Sequence, residues 1–304
     1  MDFGRVTPAE LERVDFKLPA DPKETTKVLK ASKSKKPPLF YFGCAKWGRK
    51  DWVGKLYPPK TKEADFLNWY AKYFNCIELN ATFYKLPDER TMKIWKEKAG
   101  KGFMFSPKFT ATISQSRRLV NAERETDEFL KGVHALGDSL GPCFLQMHPT
   151  FGPKSLDAVK NYLAYLPTDL EMFFEVRHPD WFVGDNFKAL SKVLEDAGKG
   201  FVITDTAGRR DVCHMRLTTP TAFIRFVGNS LHKSDYQRID DWVERIDKWV
   251  KDGLTHLYFF MHQHDELHSP ELIKYTIQRI NERCGLDIPV PVYLYEQEAK
   301  GLFD

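Results

Sequence analysis

The chain has 304 residues, 42% apolar and 14% aromatic, enough for one large globular body or two small ones. A net charge of +4 with 29% charged residues is too mild to argue for nucleic acid by itself, and no apolar run reaches the ~18 residues of a membrane span. The polar start lacks a signal-peptide core, and the five scattered cysteines form no C-x-x-C pair, so free thiols in a reducing cytoplasm are expected.

Residues 1–38 read as an N-terminal extension ending in a basic linker, KASKSKKPP, with 39–304 as one folded unit. The linker reads as a solvated connector rather than a phosphate-binding arm. From residue 39 onward, runs of strand length rich in Phe, Tyr, Val and Ile alternate with helix-like segments. The first strand is LFYFGCA, followed by a helix over 63–74 and a second strand at CIELNATF. FMFSPKF is the third strand, with a helix over 126–137 leading to CFLQMH, the fourth. Helices over 156–166 and 186–198 flank the fifth strand, MFFEVRH, and FVITDT is the sixth. AFIRFVG and LYFFMHQ complete the set, with a helix over 236–253 between them. Gly198 and Gly253 stand where helices would end. Eight strands in roughly 225 residues have the count and size of a single TIM-type (β/α)8 barrel. The competing open doubly wound sheet finds no Gly-rich dinucleotide turn after the first strand. The final residues, 289–304, read as a tail laid over the body.

Alternate side chains on a strand face opposite ways, so parity sorts the polar residues. In EMFFEVR, Met172, Phe174 and Val176 claim the helix side, leaving Phe173, Glu175 and Arg177 inward. By the same rule Glu78 and Asn80, Phe144, Gln146 and His148, Phe223 and Arg225, and Tyr258, Phe260, His262 and His264 are expected inward. Phe201, Ile203 and Asp205 are assigned inward too, and Lys108 ends the third strand. Inward residues are apolar early in each strand and polar late, so charge should collect at the C-terminal ends, where barrel enzymes carry their active sites.

The ordered motifs GCAKWGRKDWVGKLYPP, IELNATFYKLP, FMFSPKF, LGPCFLQMHPTF, FFEVRHPDW and ITDT, spread over about residues 39–270, resemble the DUF72 (YecE-like) family. The resemblance implies a TIM-type barrel and no particular reaction. It marks Gly43, Trp47, Tyr57, Glu78, Asn80, Thr82, Phe83, Tyr84, Pro87, Lys108, Gln146, Glu175, Arg177, His178, Trp181, Asp205 and Arg225. This chain departs from the family pattern at Val227, where His is usual, and in FFMHQHDE, where an Asn pair is usual.

The candidate catalytic groups are Glu175 foremost, with Glu78, Asp205 and His262, since Glu, Asp and His are common general acids and bases. The candidate ligand-binding residues are Arg177, His178, Arg225, Lys108, Asn80 and Gln146, with Trp47, Tyr84 and Trp181 as pocket walls. Glu78, Glu175, Asp205 and His262 also form a conceivable metal set, but neighbouring Lys and Arg neutralise the acids, so no metal or other cofactor is expected. Cys44 as nucleophile and the Gly228–Ser230 turn as a phosphate loop are weaker readings. The favoured function is a metal-independent acid–base enzyme acting on a small polar, anionic substrate, with hydrolase, lyase and isomerase chemistry all open. A nucleic-acid-binding or -processing protein and a non-catalytic ligand-binding scaffold are the alternatives.

Overall fold

A computed structural model describes residues 3–32, 34, 36–294 and 296. Lys33 and Lys35 of the basic stretch, and Tyr295 and 297–304 of the tail, lie outside the described residues. The strands are β1 (Leu39–Cys44), β2 (Cys76–Leu79), β3 (Met104–Pro107), β4 (Cys143–Gln146), β5 (Met172–Glu175), β6 (Gly200–Asp205), β7 (Thr221–Gly228) and β8 (His256–Gln263). The helices are α1 (Pro8–Leu11), α2 (Lys23–Lys30), α3 (Phe66–Tyr70), α4 (Ala81–Tyr84), α5 (Glu89–Ala99), α6 (Glu123–His134), α7 (Leu156–Tyr165), α8 (Asn186–Asp196), α9 (Lys233–Asp252) and α10 (Ser269–Cys284). Among the described residues, no helix is long and apolar enough to cross a membrane.

Every strand pair is parallel, in an α/β fold. The backbone ladder runs through six strands in the order β1-β8-β7-β6-β5-β4, and β2 and β3 form a separate pair. The sequence leads one to expect a ladder through all eight. The difference has a physical cause at the β1–β2 seam, where side chains replace the ladder. Asn75 Oδ1 accepts from Phe42 N and its Nδ2 donates to Phe40 O, both at 2.8 Å. Tyr70 Oη accepts from Cys44 N at 2.7 Å and donates to Cys76 O at 3.0 Å. Between β3 and β4, Gly141 N donates to Phe105 O at 2.8 Å and Phe109 N to Phe144 O at 3.0 Å.

The β1–β2 seam depends on Gly43. A Cβ there would stand 2.1 Å from Cys76 O, closer than any real contact. Gly43→Ala is expected to lose about 1–3 kcal/mol through overpacking against backbone that cannot move aside. Urea unfolding measures this, and an unchanged midpoint would show that the seam yields.

The outer faces of the strands pack against the helices through Phe42, Ile77, Phe105, Leu145, Phe174, Ile224 and Phe259. The segment before β1 adds no strand, yet it is docked on the body rather than free. Leu29 is fully buried, Thr25 Oγ1 donates to Met215 O at 3.0 Å, and Asp21 accepts from Arg245 and Lys248 on α9. In the described part of the tail, Tyr293 is buried and its hydroxyl donates to Pro270 O at 2.6 Å.

Candidate functional site

The inner faces of the strands carry an aromatic layer beneath a charged one. Tyr41, Phe144, Phe173, Phe223, Tyr258 and Phe260 pack together, with Cys76 and Val202 completing the cluster. Phe173 has room only because β6 begins with Gly200, where a Cβ would meet the Phe173 ring at 2.2 Å. Above this floor water is excluded, so every charge needs a partner.

Arg225 on β7 is the central partner. Its Nε and Nη2 donate to the two oxygens of Glu78 on β2, at 2.8 and 2.9 Å. Its Nη1 donates to Glu175 Oε2 on β5 at 2.7 Å. The guanidinium lies 5.4 Å above the Phe144 ring and is 1% exposed. Glu78 also accepts from Asn80 Nδ2 at 2.8 Å and pairs with His262 Nε2 on β8 at 3.0 Å. The other His262 nitrogen faces Glu266 at 3.5 Å, and Ser269 Oγ donates to Glu266 at 2.8 Å. Glu175 Oε1 accepts from Arg177 Nε at 2.6 Å, and Gln146 Nε2 lies 3.3 Å from both Glu175 oxygens.

These contacts set the protonation states. Burial alone would raise the Glu78 carboxyl, but Arg225 and His262 beside it hold it well below the usual carboxylate range. Burial opposes ionisation of Glu175 as well, yet Arg177 and Arg225 bring it down to about 2. His262 is raised: burial works against the imidazolium, while Glu78 and the hydrogen bond to Glu266 outweigh it.

Lys108 differs from its neighbours. Its backbone is pinned on the β2–β4 seam, with its N–H donating to Leu79 O at 3.2 Å and its carbonyl accepting from Thr82 Oγ1 at 2.7 Å. Its Nζ donates to the neutral amide oxygen of Gln146 at 2.9 Å and stands 4.2 Å over the Phe83 ring. Among the described residues it has no carboxylate partner within salt-bridge distance. Burial, helped by the nearby Arg225, lowers its ammonium to about 8. Arg177 also has capacity to spare: its Nη2 is buried without a hydrogen-bond partner among the described residues. The Phe3 ring covers the Arg177 guanidinium at 3.8 Å. That N-terminal segment is fastened by Thr206 Oγ1 donating to Phe3 O at 3.1 Å and Gly208 N to Gly4 O at 2.8 Å.

Not every expected residue reaches this cluster. Asp205 lies on the outer face of β6, fully buried between Arg238 Nη2 at 2.9 Å, Trp242 Nε1 at 2.7 Å and Arg210. The inner positions of β6 are Val202 and Thr204; Thr204 pairs in register with Arg225, and its hydroxyl has no partner among the described residues. The inward assignment of Phe201, Ile203 and Asp205 is therefore corrected. Three successive apolar residues leave the parity of β6 unmarked, and Asp205 follows its cationic partners, Arg238 on α9 and Arg210 in the turn after β6, rather than the interior. Trp181 is fully buried in the outer core, its Nε1 donating to Phe151 O at 2.6 Å. Trp47 packs edge-on against Trp95 and Phe105 on the helix side. Tyr84 is 83% exposed and stands edge-on to Phe83. His178 turns back to accept from Asp180 N at 3.2 Å, and His148 accepts from Thr150 N at 3.2 Å.

The Gly228–Ser230 turn offers no free phosphate cradle, because Asn229 N donates to Asp235 and Ser230 N to Gln263, both at 2.7 Å. Cys44 is fully buried, and burial pushes its thiol well above the usual range. Among the described residues, no group of three or more His, Cys, Asp or Glu is arranged to hold a metal ion. Three residues of the cluster had no assigned part in the sequence: Phe3, Glu266 and Gln115, whose amide donates to Gln146 O at 2.8 Å; Phe83 was marked only by the family resemblance.

Comparison with known proteins gives the family and the fold. The family described as "Protein of unknown function DUF72" matches residues 41–291. The chain is 31% identical to the UPF0759 protein YecE of Escherichia coli (strain K12) over 254 residues, covering 77% of this chain and 90% of that one. It is 26% identical to the UPF0759 protein YunF of Bacillus subtilis (strain 168) over 156 residues, 47% of this chain and 52% of that one. A crystal structure of a DUF72 family protein from Enterococcus faecalis V583 superposes with a TM-score of 0.65 at 16% identity, covering 84% of this chain and 98% of that one. Another, from Thermotoga maritima MSB8, gives 0.61 at 19% identity over 80% and 99%. At those identities the solved structures speak for the fold alone, whereas the family match spans most of the folded body: this chain belongs to the DUF72 family.

Proposed function

We propose that the eight strands form one TIM-type barrel and that the charged layer at their C-terminal ends binds a small anionic molecule and carries out metal-independent acid–base chemistry on it. One observation carries this reading. Among the described residues, Lys108 Nζ has only the neutral Gln146 amide oxygen as acceptor, and Arg177, although its Nε is paired with Glu175, has its Nη2 buried without a partner. A buried donor without a partner is costly, and an anion supplies the missing acceptors. Charge favours the same conclusion: among the described residues Arg225, Arg177 and Lys108 match Glu78, Glu175 and Glu266 in number, and the upward shift of His262 adds to the positive side. Lys108 is 7% exposed and the Arg177 side chain 11%, which suits a small molecule better than a polymer.

In this reading Glu175 and Glu78 are positioning carboxylates. Each is saturated with donors and held ionised, so neither exchanges a proton readily near neutral pH. Proton transfer falls instead to His262 and Lys108. Val227 stands in register with His262, so β8 supplies the imidazole. The Arg225 guanidinium fills the space between the two carboxylates, where a metal would otherwise sit, so no metal is needed there.

The test is a thermal-shift and calorimetric screen with inorganic phosphate and short carboxylates. An anion at about a hundredfold its Kd should add about 2.7 kcal/mol of stability. A charge-assisted hydrogen bond contributes about 1.5–3 kcal/mol, so Arg177→Gln should weaken that binding about 10–100-fold. If no anion stabilises the wild type, or if Arg177→Gln binds as tightly, the reading fails.

A further inference from the structure

We propose that Lys108 is a nucleophile that forms an imine with a short oxo acid, the carboxylate of that acid being held by Arg177. This rests on the anion-binding reading above and names its substrate class. The arrangement has four parts. First, the Lys108 amine is buried between the rings of Phe83 and Phe144, at 4.2 and 5.8 Å, which deny it water. Second, among the described residues its one hydrogen-bond acceptor is the neutral Gln146 amide, and no salt bridge ties up the nitrogen. Third, its backbone is held on both sides by Leu79 and Thr82, so the amine is delivered from a rigid strand end. Fourth, Gln146 and Glu175 stand between Lys108 and Arg177, which sets the two cations apart by one amide and one carboxylate. A ligand with a carbonyl at one end and a carboxylate at the other reaches both cations by displacing the Gln146 amide that stands between Lys108 and Glu175.

The step balances without any other reagent. The Nζ lone pair adds to the carbonyl carbon and a C–N bond forms. The C=O π pair moves to oxygen, which takes up a proton as nitrogen releases one. A second proton from nitrogen joins that hydroxyl, the C–O bond breaks, water leaves and a C=N bond remains. Lysines made nucleophilic by desolvation and a neighbouring cation are a known route to such imines.

The neutral amine is the reacting form, so the rate should rise as pH passes through about 8. The groups facing the amine set that value: burial first, then Arg225 and Arg177 lowering it, with Glu78 and Glu175 opposing.

The experiment incubates the full chain with glyoxylate, pyruvate or levulinate and cyanoborohydride, then maps the reduced adduct by peptide mass spectrometry. The expected result is an adduct on Lys108 ahead of the exposed lysines, absent in Lys108→Met. Arg177→Gln should slow trapping by pyruvate but not by neutral acetone. If an oxo acid binds in calorimetry and no adduct forms on Lys108, the imine is wrong and the anion site stands. If phosphate or another carboxylate binds and no oxo acid does, the substrate class is wrong. If no anion binds at all, the underlying site reading has already failed. The wild-type peptide map decides the question even if Lys108→Met does not fold.

Discussion

Arg225→Met is expected to cost about 3–5 kcal/mol of stability near neutral pH, because it leaves two ionised carboxylates buried without their shared partner. Arg225 spans β2, β5 and β7 through three charge-assisted hydrogen bonds. His262, Lys108 and Arg177 remain in the variant and recover part of the loss. The pH dependence has a definite sign. In the wild type the folded carboxylates sit below the usual value of about 4.3, Glu175 at about 2. Their contribution is therefore fully present above about 4.3 and is lost as pH falls toward about 2. In the variant burial wins, the folded values move up, and destabilisation grows as pH rises through the carboxylate range. The gap between the two proteins should narrow on acidification. Urea unfolding near neutral pH and near pH about 4 measures it. A loss under about 1 kcal/mol, or a gap that widens in acid, would contradict the buried-network account.

Asp205→Asn should cost a similar amount, about 3–5 kcal/mol, and leave ligand binding untouched. Its carboxylate joins the strand array to α9 by taking Arg238, Trp242 and Arg210 together. The asparagine keeps the shape and removes the charge, so Arg238, fully buried, retains among the described residues only Asp235 as a carboxylate partner, at 3.3 Å. Burial disfavours the Asp205 charge, yet Arg238 and Arg210 bring its carboxyl down to about 2. The contribution is thus present above about 3.9 and lost as pH falls toward about 2. The variant lacks that acid limb. A weakened affinity for the anion that the wild type binds, with stability intact, would return Asp205 to the functional group where strand parity first put it.

The two networks show how far parity carries. Glu78, Gln146, Glu175, Arg225 and His262 were assigned inward because apolar neighbours of the other parity claimed the helix side, and the inner face does carry them. In β6 that marker is missing. Phe201, Val202 and Ile203 are all apolar, so the only clue was Asp205, and Asp205 chose its partner by charge rather than by periodicity. The aromatic candidates failed for a related reason. Trp47 and Trp181 are as apolar as any core residue, and only their neighbours show that they pack on the helix side.

By itself the sequence determined the alternation of strands and helices, the polar ends of the strands and the family, because these depend on periodicity and on ordered local motifs. Only the tertiary structure decided which charges meet. Arg225 is 147 residues from Glu78 in the chain and 50 from Glu175, and nothing local in any of the three names the others. The docking of the N-terminal segment, with Phe3 over Arg177, is of the same kind. A buried charge must find a counter-charge wherever the fold puts one. That requirement is set by local chemistry, but it is met by contacts across the whole chain, which is why the sequence names Lys108 as a candidate while its lack of a carboxylate among the described residues shows only once the others are paired.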